Sequence, residues 1–281
     1  MRRLLSAGFA RLKKNRGFWI GMGISFFFGI YMAVYAYKTN HTYDARMVLE
    51  DIFFLASGVI GILAAAVLSF FLGTEYNDGT IRNKLVAGHK RYKVYLSSLI
   101  LSISVLLLLN LSCMAASCLF GIPLLGFFYK ANLHLIWTAL GISLFTYMAY
   151  AAVYTLSGML IQNRSVSAII CIIGMTVMYC LSGYVRSGLS EPEYYEDYDY
   201  YFDDEEVEEI APEDKTPNPY YLRGTKREAY DFINDFLPTG QSLQVAGLFI
   251  EHVYRLPVYS MLIVLTTTGA GICLFRKKDI K

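Results

Sequence analysis

Six runs of this chain, residues 17–37, 52–73, 96–120, 135–161, 166–185 and 257–275, are apolar and carry no Asp, Glu, Lys or Arg in their interiors. An α-helix rises about 1.5 Å per residue, so about 20 apolar residues cross the hydrocarbon core of a bilayer. A charge at the bilayer centre costs about 2.5–3.5 kcal/mol even on the mildest scale, and these runs avoid it. The pattern predicts an all-α membrane protein with six transmembrane helices. The composition agrees. At 55% hydrophobic and 17% charged residues, 281 residues would make a poor surface for a soluble domain.

Orientation follows from the connections. With the N-terminus cytoplasmic, the inner segments hold 16 of the 25 Lys and Arg residues, and the other nine are spread over far more chain. Both termini then lie inside. The acids segregate as well: 13 of the 23 fall in residues 191–214, a window without Lys or Arg, placed outside between spans five and six. The chain divides into a cytoplasmic interfacial helix (1–16), spans one to five (17–185) with an inner loop at 74–95, an outer segment (186–256), and span six with a basic tail (257–281). In the first part Leu5, Phe9 and Leu12 recur at helical spacing while Arg11, Lys13 and Lys14 point elsewhere. A short helix on the inner leaflet and an ordinary basic flank both fit.

The inner loop TEYNDGTIRNKLVAGHKRYK, residues 74–93, places five Lys and Arg between two apolar runs. Asp78 or Thr80 can cap a helix on which Ile81 and Leu85 share a face, Arg82 and Lys84 point elsewhere, and Gly88 offers a stop. A helix of two to three turns is marginal alone in water. Something must hold Ile81 and Leu85, and the expectation is a partner protein at the cytoplasmic face.

The stretch Glu75-Tyr-Asn-Asp-Gly79-Thr80-Ile81-Arg82-Asn-Lys-Leu85, followed by Gly88-His-Lys-Arg91, resembles the cytoplasmic loop of ABC type-2 exporter permeases. In that family an acidic residue precedes a Gly-Thr turn and a short coupling helix. The resemblance runs along the chain: an N-terminal interfacial helix, six spans, a long outer connection, and the basic ending Leu274-Phe-Arg-Lys-Lys-Asp-Ile-Lys281. Phe236-Leu-Pro-Thr-Gly-Gln241 is similar to the outer re-entrant helices before the last span of such permeases.

The resemblance implies a non-catalytic, multi-pass permease of a bacterial cell membrane. Its partners would be a separate ABC ATP-binding subunit, a second permease (identical or homologous) and membrane lipids. ATP and magnesium would belong to the ATPase; this chain would bind no cofactor, and it has no G-x-x-x-x-G-K-[ST] phosphate loop. The 79–88 helix would dock in a groove on the ATPase, and Glu75 would bridge neighbouring helix ends. The coupling residues are then Glu75, Gly79, Thr80, Ile81, Arg82, Leu85 and Gly88. Asp at both Ile81 and Leu85 is expected to abolish ATPase association.

The acidic outer connection departs from the family pattern and leaves the substrate open. EPEYYEDYDYYFDDEEVEEIAPED has no apolar periodicity, and like charges at that density repel. It reads as a solvated loop, as a lure for cationic peptides, or as a weak calcium binder lacking the D-x-[DN]-x-[DN]-G pattern. In the lure, Asp197, Asp199, Asp203, Asp204, Glu205 and Glu206 supply charge, while Tyr194, Tyr195 and Tyr198 supply ring faces. Beyond it, Tyr230, Ile233, Phe236 and Leu237, then Leu243, Val245, Leu248 and Phe249, predict two short helices interrupted by Pro238-Thr-Gly240. They are too short to cross and are placed at the outer interface.

The four histidines are scattered, so no metal site is indicated, and the five cysteines, all in apolar runs, read as buried free thiols. Gly17-x-x-x-Gly21 matches a helix close-packing motif that chance also explains. Spans without ionisable groups argue against proton- or sodium-coupled carriers and voltage sensors, so energy would enter from the cytoplasmic face. Walls of Phe, Tyr, Met, Ser and Thr suit an amphipathic peptide, such as an antimicrobial one, or a lipid-like passenger. The alternative from another class is a non-transporting sensor or scaffold that binds a cationic ligand through the acidic segment. No nucleic-acid role is indicated.

Overall fold

A computed structural model describes residues 1–43, 46–129, 131–195 and 216–278. Asp197, Tyr198, Asp199, Asp203, Asp204, Glu205 and Glu206 lie outside the described residues. Among the described residues the chain is helical, without strands. Six membrane-length stretches emerge: α2 (Arg16–Tyr43), α3 with α4 (Leu49–Phe53 and Leu55–Asn77), α6 (Arg91–Leu125), α7 (Leu133–Leu160), α8 (Arg164–Leu189) and α11 (Arg255–Lys277). Most run past their apolar stretch at both ends, while α7 stops at Leu160. At the start of α8 the Asn163 side chain accepts from the amides of Ser165 and Val166.

The central helices are α4, α6 and α7, flanked by α2 along α6, α8 along α4 and α11 along α7. Apolar burial gives little drive between helices surrounded by lipid tails, so close backbone approach matters more. Small residues provide it. A Cβ on Gly29 of α2 would lie 2.6 Å from the Cys113 carbonyl of α6, and one on Gly158 of α7 would strike Leu72 of α4. Gly21 faces Val67 of α4, so the second glycine of the Gly17/Gly21 pair serves packing within the chain. Ala64 and Ala65 of α4 and Ala149, Ala151 and Ala152 of α7 are fully enclosed.

Two expectations about side-chain placement are corrected. Cys113 and Cys171 are buried and Cys118 is half-buried, but Cys180 and Cys273 are exposed on the sides of the bundle. A thiol is apolar enough to face lipid tails, so an apolar run does not say which way its cysteines point. On α1 (Arg2–Lys14) the buried stripe is Leu4, Gly8 and Leu12, with Phe9 exposed. Gly8 packs on Leu101 of α6, which rotates the buried stripe away from the face read from the spacing.

At the end opposite the termini, α9 (Thr225–Phe236) and α10 (Pro238–Ala246) meet directly at Leu237. Pro238-Thr-Gly240 does not interrupt the pair: proline opens α10, where its missing N–H costs nothing. α10 is buried almost throughout, against α4, α7 and α8, and its polar side chains find hydrogen-bond partners there. Tyr194 and Tyr195 sit at the neck of the acidic window. The Tyr195 amide donates to the Thr216 carbonyl at 3.0 Å and the Asn218 amide to the Glu193 carbonyl at 3.1 Å, so the two ends of the window run side by side.

Candidate coupling site

The end of the bundle that carries both termini is organised around one carboxylate. Glu75, in the last turn of α4, is 1% exposed. Its oxygens accept from Lys84 Nζ at 2.9 and 3.0 Å and from Arg11 Nη1 at 3.4 Å. Arg11 also donates to Asp78 at 3.3 Å. One buried anion thus ties α4 to α1 and to α5 (Thr80–Val86). Pairing is what makes its burial tolerable, since a lone buried carboxylate loses its hydration without compensation.

Between Glu75 and Lys84 the chain reverses at Gly79, whose φ of 64° is strained for residues with a Cβ. The N-cap of α5 is Gly79, with no side-chain cap; the expected cap from Asp78 or Thr80 is corrected. Asp78 turns instead to Arg11, and Thr80 is the first helical residue, half-exposed. At the other end Gly88, with φ 82°, closes a Schellman motif: its amide donates to the Leu85 carbonyl and that of His89 to Lys84.

The chain itself holds α5. Ile81 is 0% exposed, packed with Val94 and Tyr95 of α6, Met159 of α7 and Phe275 of α11, while Leu85 lines the same cluster. A partner is therefore not needed to cover them, and that expectation is corrected. Aspartate at both positions would break an internal core before it tested any docking. Lys84 is the second surprise: at i+3 from Ile81 it shares the buried face, where it meets Glu75. The side chains left bare are Arg82, Asn83 and Val86, the last 81% exposed.

Two further cations, unassigned by sequence reasoning, fasten the neighbouring span ends. Arg91 Nη1 donates to the carbonyls of Phe275 at 3.0 Å, Arg276 at 3.1 Å and Lys278. Lys278 Nζ donates to the Met159 and Leu160 carbonyls at 3.1 and 2.7 Å and lies 4.7 Å from the Tyr76 ring centre. Helix C-termini expose orphan carbonyls and negative dipole ends, which suits both cations. Burial lowers the Lys278 pKa from the ordinary lysine value. Tyr76 also donates its hydroxyl to the Met159 carbonyl. The basic residues near the span ends were the available signal, but the pairing of each with a particular carbonyl needs the fold.

A family model described as "ABC-2 family transporter protein" matches residues 4–182, well over half of the chain. The chain belongs to the ABC-2 transporter family. No curated protein matches significantly. The matched stretch of this ABC-2 permease runs from α1 into α8 and includes the whole Glu75–Gly88 turn. The acidic window and α9 to α11 lie beyond it. Membership makes the chain the membrane component of an ABC transporter, a multi-pass protein rather than the nucleotide-hydrolysing part.

Proposed function

We propose that this permease is the membrane subunit of an ATP-driven exporter, with both termini cytoplasmic. An ABC ATP-binding subunit that carries ATP and magnesium docks on α5, and a second permease, identical or homologous, completes the transporter. The supporting observation is the clamp on α5. Ion pairs and the Ile81 cluster join it to the ends of α4, α6, α7 and α11, while Arg82, Asn83 and Val86 stay bare. A push on that rim moves four spans together. Glu75, Gly79, Thr80, Ile81, Leu85 and Gly88 hold the lever rigid; Arg82, Asn83 and Val86 meet the motor.

The passenger is an amphipathic peptide, such as an antimicrobial one, or a lipid-like molecule. An apolar crevice of about 250 Å³ between α2 and α4, lined by Ile24, Phe28, Val59, Ile60 and Leu63, supports an apolar cargo. The acidic outer window concentrates cationic peptides near the bundle. Affinity purification of an Arg82→Glu/Val86→Asp variant tests the docking. The expected result is normal membrane insertion with loss of the ATP-binding subunit. An intact complex with unchanged ATPase stimulation contradicts docking on this rim, and a parent chain that brings down no ATP-binding subunit favours the sensor or scaffold.

A further inference from the structure

Where α6 begins and α11 ends, a groove of about 620 Å³ is lined by Lys90, Arg91, Tyr92, Ile272 and Arg276. Its depth follows from the spans: the apolar run of α11 stops at Phe275, next to Arg276. Above it α6 and α11 touch, Tyr95 lying against Gly271 where no Cβ fits. Three cations share the groove. Neither Lys90 nor Arg276 forms an ion pair among the described residues, and Arg91 donates through Nη1 alone. Among the described residues, the carboxylates at this end of the bundle, Glu75 and Asp78, are engaged by Lys84 and Arg11.

Three like charges around one cavity repel until an anion enters. The cavity wall is mixed, with Ile272 and the Tyr92 ring beside the cations, and it opens at the level where a helix passes from hydrocarbon to headgroups. We propose that the groove holds the headgroup of an anionic phospholipid, its phosphate among Lys90, Arg91 and Arg276 and its upper chain on Ile272. A free phosphate would satisfy the cations but leave the apolar wall unused. Ile272 also packs against the cluster that encloses Ile81, so the lipid props the same core that holds α5. The site does not depend on the exporter assignment and exists whether or not an ATPase docks.

Native mass spectrometry of the full chain, released from detergent with added phosphatidylglycerol or phosphatidylcholine, tests the site. The expected result is retention of phosphatidylglycerol over phosphatidylcholine, reduced on the order of tenfold in Lys90→Gln/Arg276→Gln. Lys13→Gln/Lys14→Gln removes the same charge from the same end and is expected to retain the lipid within about twofold of the parent. A thermal melt matching that of the parent verifies that the groove variant is folded. Equal losses in both double variants would mean diffuse attraction of a basic flank and overturn the site. Displacement of the lipid by millimolar inorganic phosphate would overturn the lipid assignment in favour of a soluble anion. Unchanged lipid retention in the groove variant, with loss of the ATP-binding subunit, would assign the groove to that partner instead.

Discussion

Each end of this bundle encloses a short helix, and the two ends do it with different chemistry. At the end with the termini, α5 is held by charge: Lys84 and Arg11 on Glu75, with Arg91 and Lys278 on helix carbonyls. At the opposite end α10 is held mostly by neutral groups. The Gln241 amide donates to the Asp235 and Leu256 carbonyls at 2.8 and 3.2 Å, and its oxygen accepts from Thr146 at 3.0 Å and Ser260 at 2.6 Å. Ser242 pairs with Tyr150 at 2.9 Å and Thr239 with Ser182 at 2.6 Å. A neutral network escapes the ionic desolvation penalty, so α10 can be surrounded on every side. The charged clamp is closed on one side only, with Arg11 still about a third exposed. The end that encloses its helix is built mostly of neutral groups, with one buried carboxylate, Asp235, accepting from the Gln244 amide at 3.1 Å and lying 3.1 Å from His252; the end that keeps a free rim relies on ions.

The contrast breaks most visibly at Glu75. Glu75→Ala leaves the Lys84 ammonium buried and is expected to lower stability by about 3–5 kcal/mol in detergent melts. Glu75→Leu/Lys84→Leu is expected to recover most of that, because removing both charges removes the desolvation problem. A double variant as unstable as the single would show that the clamp's geometry, rather than charge compensation, holds α5. At the neutral end Gln241→Leu strips four hydrogen bonds from one side chain and is expected to cost about 2–3 kcal/mol, measured in the same melts. A loss matching that of Glu75→Ala would erase the distinction between the ends.

Smaller effects sharpen it. Gly79→Ala forces a Cβ into a left-handed turn and is expected to cost about 1–2 kcal/mol, with no effect on the α10 end, as hydrogen exchange at the two ends would report. The smallest concerns Lys278. Its pKa is lowered in the folded chain, so in the alkaline interval below the unfolded lysine value the unfolded state binds more proton. Stability contributed by this group therefore rises with pH through that interval. Melts of the parent against Lys278→Met should show the rise only in the parent.

How much of this could be read beforehand differs between the elements. The six spans were readable because a charge inside hydrocarbon is penalised wherever it stands along the run, so its absence is visible in one dimension. Gly79 and Gly88 were readable as turns for a similar local reason. Ile81 was correctly seen as needing cover, yet the cover was assigned to a partner. Val94, Tyr95, Met159 and Phe275 come from three different helices, and no spacing brings them together. Spacing turns Lys84 away from the Ile81 and Leu85 face, although its i+3 offset from Ile81 is a usable hint. The enclosure of α10 is not legible in one dimension, because the partners of Gln241 lie up to 95 residues away.

The sequence alone determined the membrane class, the six spans, the place of the reversing turn and the segregation of charge, since each follows from the cost of putting a given residue in lipid or a given φ on a backbone. Tertiary structure decided which cation answers which anion or carbonyl, which face of α1 and α5 is buried, and that a helix as polar as α10 could be enclosed. Those outcomes depend on distances between residues far apart in the chain. A buried polar group is stable or ruinous according to whether a partner stands within hydrogen-bond reach.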